Sequence, residues 1–220
     1  DMNRNITNIP EHQANHEKHE FYHRYMLGLY RVLEELNRSF PDILFESCSG
    51  GGGRNDLGML YYMPQAWASD KTDAIGRLSI QEGTGLIFPA ISVGSHVSAV
   101  PNHQTGRVTP LATRGHVAML GNLGYELDLH ALPERKLEQI AQQVETYKSI
   151  RKTVQFGDYY RLKKTDNSYA YTYVNDDKSQ VVFTFVKVLS QPEAPLIQVK
   201  LKGLDPEARY YSKELGASFY

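Results

Sequence analysis

"DILFESCSGGGGRNDLGMLYYMPQAWASDKTDAIGRLSIQEG", residues 42–83, decides the fold. A short apolar run at 42–47 ends in four glycines, and a second at 65–70 ends among acids. The segment 72–83, opening on Thr72 or Asp73, has the start signal and apolar spacing of a helix. Upstream, residues 16–39 repeat Tyr22, Tyr25, Met26, Leu29, Val32, Leu33 and Leu36 at intervals of three and four, with Asn15 as cap and Pro41 beyond the end. That spacing predicts an amphipathic helix. Downstream, the sequence predicts a strand region at 86–97, a helix at 113–122 and a strand at 125–129. It also predicts a helix at 133–153, with Pro133 in its first turn and Leu137, Ile140, Val144 and Tyr147 on one face. Strand and helix alternate about four times, the pattern of a parallel α/β sheet or barrel.

Beyond residue 157 the periodicity changes to two. "DYYRLKK" (158–164), "YAYTYV" (169–174), "QVVFTFVKVL" (180–189) and "LIQVKLKGL" (196–204) each read as a strand, and "NDDK" (175–178) supplies a turn. In the last segment Ile197, Val199 and Leu201 alternate with Gln198, Lys200 and Lys202. An antiparallel β domain of at least four strands is expected, which divides the chain into 1–156 and 157–220. The tyrosines of "YAYTY" fit sheet core and cross-strand pairs better than a carbohydrate platform.

With 220 residues, 41% of them hydrophobic and 22% charged, the composition is that of a globular protein with a sizeable core. A net charge of −1 with no basic run gives no field to draw nucleic acid or an anionic membrane, and no apolar run reaches spanning length. A single cysteine excludes an internal disulfide framework and fits a reducing compartment, so a cytoplasmic location is expected.

Four consecutive glycines suggest a phosphate cradle, and the motif tests reject it. G-x-G-x-x-G fails at Asn55 or Asp56 in its last position. The Gly53 to Gly58 spacing of a Walker loop is followed by Met59 and Leu60, where Lys and Ser/Thr are required. Cys48 has no histidine placed near it by sequence to act as a base, which favours a small pocket-lining thiol over a nucleophile. His12, His16, His19 and His23 fall at helical spacing, but Glu20 stands where H-E-x-x-H needs its second histidine, so a polar rim or interface is favoured over a metal site.

In parallel α/β folds the working residues sit on loops after the C-terminal ends of the strands. Asp1, "CSGGGG" and "SDKTD" occupy such positions. Carboxylates delivered to one rim from different strands are what glycoside hydrolysis requires, whereas an isolated S-D-x-T-D often caps a helix. Both readings stand on spacing alone.

"DMNR", "FESCSGGGGRNDLGMLYYMPQ", "WASDKTDAIGRL" and "GSHVSAVPNHQTGR" together resemble the α-galactosidases of glycoside hydrolase family 36, from residue 1 through the C-terminal sheet. The resemblance implies the C-terminal half of a (β/α)8 barrel followed by an antiparallel β-sandwich-like domain. In that family the Asp of the first motif, Lys-Trp-Asp-Met-Asn-Arg, is the nucleophile, which carries over to Asp1. The Asp after the Ser of S-D-x-T-D is the acid/base, here Asp70, which leaves Asp73 as the cap. The Cys and Gly of C-S-G-G and the Asn of the first motif contact galactose, implying Cys48, Gly50 and Asn3 as substrate-binding residues beside Asp70.

The implied chemistry is a retaining double displacement: Asp1 attacks the anomeric carbon while a protonated Asp70 releases the leaving oxygen, then Asp70 activates water. The two carboxyl groups should stand roughly 5–5.5 Å apart. The substrates implied are terminal α-D-galactosides of the melibiose and raffinose type, with no metal or organic cofactor and with assembly into tetramers or dimers. A transglycosylating relative that forms raffinose or stachyose, and a catalytically silent sugar-binding fragment, are the alternatives. Trp67 is expected to fill the barrel wall, although stacking on sugar is the other reading. His96, His103 and Arg107, in the loop 94–107, line either the active-site mouth or a subunit contact.

The family's Lys-Trp is missing before Asp1, and the chain reads as the C-terminal part of a longer enzyme. Four strands cannot close an eight-stranded barrel. The 220 residues by themselves are therefore expected to be poorly soluble and to hydrolyse no galactoside; turnover of a chromogenic α-galactoside by the isolated chain would contradict this.

Overall fold

The computed structural model describes residues 15–212 and 217–219. Its first part runs α1 (Asn15–Ser39), β1 (Glu46–Ser47), α2 (Leu57–Tyr62), β2 (Gln65–Trp67), α3 (Ala74–Thr84), β3 (Val93–Ser98), α4 (Leu111–Ala118), β4 (Asn122–Glu126) and α5 (Glu134–Phe156). The four strands pair in chain order, all parallel, with Ser47 against Ala66, Trp67 against Gly94 and Ser98 against Glu126. Parallel neighbours need a crossover between them, and the intervening helices provide it.

The second part is antiparallel. β5 (Asp158–Thr165), β6 (Ser168–Val174) and β7 (Val181–Lys187) form one sheet, and β8 (Tyr210–Ser212) pairs with β9 (Ala217–Phe219). The change of architecture read from the sequence, parallel α/β followed by antiparallel β, is what the structure has.

Three apolar clusters bind the layers together. Val97 on β3 packs with Leu111, Ala118 and Ile140 under the helices. Leu120, Val154, Tyr171 and Tyr173 join α5 to the antiparallel sheet. Leu78, Val117 and Val186 seat β7 on α3 and α4. Tyr171 and Tyr173 are thus core, as read from "YAYTY", and the Tyr173 hydroxyl donates to the Leu120 carbonyl at 3.3 Å. Burial pushes the Tyr173 phenol up, out of any titration in the working range of a protein.

Several boundaries differ from the pattern. The strand region 86–97 reduces to β3, because Pro89 opens a 3-10 turn at Ala90–Ser92 and has no N–H to give a ladder. The helix expected at 113–122 starts at Leu111, directly after Pro110, and ends at Ala118. β4 accordingly comes earlier than 125–129, at Asn122–Glu126, and Asp128 then caps a 3-10 turn by accepting from the His130 amide at 2.9 Å. The strand expected over 196–204 does not form. Period-two patterning cannot supply a partner strand, and Leu196 stays 98% exposed.

The ladder between β2 and β3 is only two pairs long. Beyond it, the Arg77 guanidinium from α3 bridges the parting strands, donating to the Ser69 carbonyl at 3.0 Å and the Gly94 carbonyl at 2.9 Å. It lies 4.4 Å over the Trp67 ring and is 2% exposed. Burial lowers its pKa to about 10, so it stays charged at neutral pH. Arg114 from α4 repeats the device one strand along, donating to the Thr109 carbonyl at 3.0 Å and to the Ser98 carbonyl. Replacing Arg77 by Met leaves the half-buried Ser69 and the buried Gly94 carbonyls without their donor and should cost roughly 3 kcal/mol of stability, read from the urea midpoint; an unchanged midpoint would contradict the bridging role.

Candidate active site

The loops that follow β1 and β2 meet at the C-terminal rim of the parallel sheet. Cys48 directly follows β1 and is exposed. Gly50 and Gly51 then take φ of +57° and +78°, a region open to glycine at little cost. A Cβ on Gly51 would lie 2.5 Å from Ser69 Cα and 2.6 Å from the Asp70 nitrogen, and one on Gly52 would lie 2.6 Å from the Ala68 carbonyl. The glycines are therefore required where the first loop leans on the backbone that carries Asp70. Sequence spacing gave the glycine run no such partner.

Asp70 is exposed at the tip of the second loop, and among the described residues nothing holds its carboxylate. The backbone around it, by contrast, is fixed at every step. Ser69 is held by Arg77, and its hydroxyl accepts from the Lys71 amide at 3.1 Å. The Gln104 side chain donates to the Asp70 carbonyl at 3.0 Å and accepts from the Thr72 amide at 3.2 Å. Asn102, which is buried, donates to the Thr72 hydroxyl at 2.9 Å. Asp73, 3% exposed, caps α3 by accepting from the Gly76 amide at 3.3 Å and pairs with Arg107. The two acids of S-D-x-T-D have separate tasks: Asp73 is the cap, and Asp70 is left facing solvent.

The sheet face opposite the helices carries Trp67, His96 and Glu126. Trp67 is buried between the Arg77 guanidinium and the His96 imidazole, which stacks on it at 4.4 Å between ring centroids. This favours the wall over a sugar platform. His96 belongs to β3, as the strand region expected at 86–97 had it, and not to the loop 94–107 that overlaps that region. A Cβ on Gly124 would meet its ring at 2.6 Å, so the imidazole fills the space that glycine leaves. Burial lowers the His96 pKa, with Glu126, its Nδ1 partner at 3.9 Å, pulling the other way.

Asp1, Asn3 and His12 lie outside the described residues. His19 and His23 are exposed on α1, and among the described residues no group of three or more His, Cys, Asp or Glu is placed to hold a metal ion. Of the loop 94–107, Arg107 fastens the cap and His103 is exposed. Asn102 and Gln104 in the same loop went unread: the P-N-x-Q-T-G turn grammar marks a loop, but no local signal says which neighbouring loop an amide will grip. Arg77 was likewise missed, since a basic residue on an amphipathic helix ordinarily reads as surface. No described helix is long and apolar enough to cross a membrane.

Residues 1–157 match the profile of the melibiase family, and residues 168–220 match the glycosyl hydrolase family 36 C-terminal domain. The chain belongs to the melibiase family. Alpha-galactosidase AgaA of Geobacillus stearothermophilus is 53% identical over 98% of this chain, and alpha-galactosidase Mel36A of Lactobacillus acidophilus is 49% identical over 100% of it. The chain spans 30% of the length of each of these relatives. The crystal structure of an AgaA variant in complex with raffinose superposes with a TM-score of 0.94 at 52% identity, covering 99% of this chain and 31% of that one. The alpha-galactosidase from Lactobacillus brevis also gives 0.94, at 43% identity, covering 100% of this chain and 30% of its own. The fold is thus that of the family 36 α-galactosidases over this region.

Because Asp73 both caps and pairs, Asp73→Ala should cost about 2 kcal/mol, whereas Asp73→Asn, which keeps an acceptor for Gly76, should cost about half as much. Equal losses in thermal or urea denaturation would remove the cap from the account.

Proposed function

We propose that these residues form part of a retaining α-galactosidase, cleaving terminal non-reducing α-D-galactosyl residues from melibiose- and raffinose-type oligosaccharides. The observation that carries this is the exposed Asp70 carboxylate on a backbone braced from both sides, with the Cys48–Gly52 loop folded against it. The kinship with named α-galactosidases supports the substrate class.

In this reading Asp1 is the nucleophile and Asp70 the acid/base. Asp70 first gives its proton to the departing glycosidic oxygen as Asp1 closes on the anomeric carbon, then takes a proton from the water that opens the galactosyl ester. Asn3, Cys48 and Gly50, with Asp70, bind the galactose. At Cys48 and Gly50 the absence of bulk lets backbone donors come close to a compact polyhydroxyl ring. The roles of Asp1 and Asn3 rest on the family motif. The barrel portion corresponds to residues 1–156 and the β domain to 157–220, the full enzyme is a cytoplasmic homo-oligomer, and neither nucleic acid nor membrane is a partner.

In an enzyme of full family length carrying these residues, Asp1→Ala should lower kcat/KM by at least about 10⁴-fold. The first product seen by NMR should be α-galactose, before mutarotation. Release of β-galactose would rule out the double displacement, and an active Asp1→Ala variant would rule out its nucleophile.

A further inference from the structure

We infer that Gln104 is a positioning residue for the proton donor: its side-chain amide fixes the peptide on either side of Asp70's own turn, and through it sets where the Asp70 carboxyl stands. This deepens the site reading above and rests on Asp70 being the acid/base.

The geometry resembles a strand pairing reduced to one side chain. Gln104 Nε2 donates to the Asp70 carbonyl at 3.0 Å while its Oε1 accepts from the Thr72 amide at 3.2 Å, so both polar ends of one amide are spent on the two peptides bracketing Lys71. The bracket is itself anchored. Asn102 Oδ1 accepts from the Gln104 and Thr105 amides, each at 3.1 Å, and its Nδ2 reaches back to the Thr72 hydroxyl at 2.9 Å. Gly106, at φ +68°, closes the turn by donating to the Asn102 carbonyl at 2.7 Å.

Arg77 holds the Ser69 side of the same loop, and Gly51 lies so near that a Cβ on it would stand 2.6 Å from the Asp70 nitrogen. Only on the 70–72 side does the restraint depend on an exposed side chain, and that side chain is Gln104. No described residue grips the carboxylate directly, so the backbone is what aims it. An acid displaced by about 1 Å loses on the order of a hundredfold in rate.

The consequence is selective. Protonation matters when the leaving group is a sugar alkoxide and matters little when it is a dinitrophenolate, which departs without help. kcat/KM reports the first, acid-assisted step for both. Gln104→Ala and Gln104→Glu, in an enzyme of full family length, should each lose roughly 10- to 100-fold in kcat/KM on melibiose. Their loss on 2,4-dinitrophenyl α-galactoside should stay within about threefold, with the melting temperature little changed. Gln104→Glu keeps the size and the acceptor for Thr72 but removes the donor to Asp70, and it decides the matter if the Ala variant folds poorly.

Equal losses on both substrates, or no loss on melibiose, overturn the positioning role. Asp70→Asn, run on the same pair, separates the two readings. If it shows no leaving-group selectivity, the acid assignment falls and Gln104 with it. If it does and the Gln104 variants do not, the positioning inference alone fails.

Discussion

The guanidinium of Arg77 occupies the gap where two parallel strands part. A ladder of two pairs between β2 and β3 would leave the half-buried Ser69 and the buried Gly94 carbonyls stranded, and an unpaired buried carbonyl costs free energy comparable to a lost hydrogen bond. Arg77 satisfies both, and Trp67 covers its flat face. Desolvation lowers its pKa, with Glu126 as the charge that opposes it; Lys, with a point charge and no fork, could not span the same two acceptors in one plane. Because the strands are allowed to separate here, the loop after β2 can turn outward at the rim and carry an acid to solvent.

Around that opening the molecule is braced through its backbone. The glycine loop presses on Ser69 and Asp70, the 102–107 loop takes the far side, and Asp73 ties the start of α3 to Arg107. Among the described residues nothing holds the Asp70 carboxylate itself. For the acid/base role proposed for Asp70 this division has a purpose: the position is set by the frame, and the charge is left to substrate and water.

The sequence made the frame of the fold legible wherever periodicity and caps agreed. α1 and α5 carry long apolar stripes, Pro133 marks a helix start, and the tyrosines of β6 alternate into the core. It failed where a pattern needs a partner to become a structure. "LIQVKLKGL" alternates as a strand should, yet among the described residues it pairs with no strand, and short runs at 42–47 and 86–97 give strands of fewer residues than their apolar length. The Asp73 cap was legible in S-D-x-T-D, and the motifs supplied Cys48, Gly50 and Asp70 as the residues of the proposed site. Arg77, Asn102 and Gln104 were not legible, because their work is done on the backbone of residues far away in the chain, and no composition or spacing announces a contact across 8 to 34 positions.

The central claim is that a carboxylate delivered from residue 1 and the braced Asp70 form one double-displacement pair. The most direct measurement is the separation between the Asp1 and Asp70 carboxyl groups in a crystal of the full-length enzyme with a galactose-type ligand bound. The account predicts about 5–5.5 Å; a separation beyond about 8 Å, room enough for an inverting water between them, would contradict it.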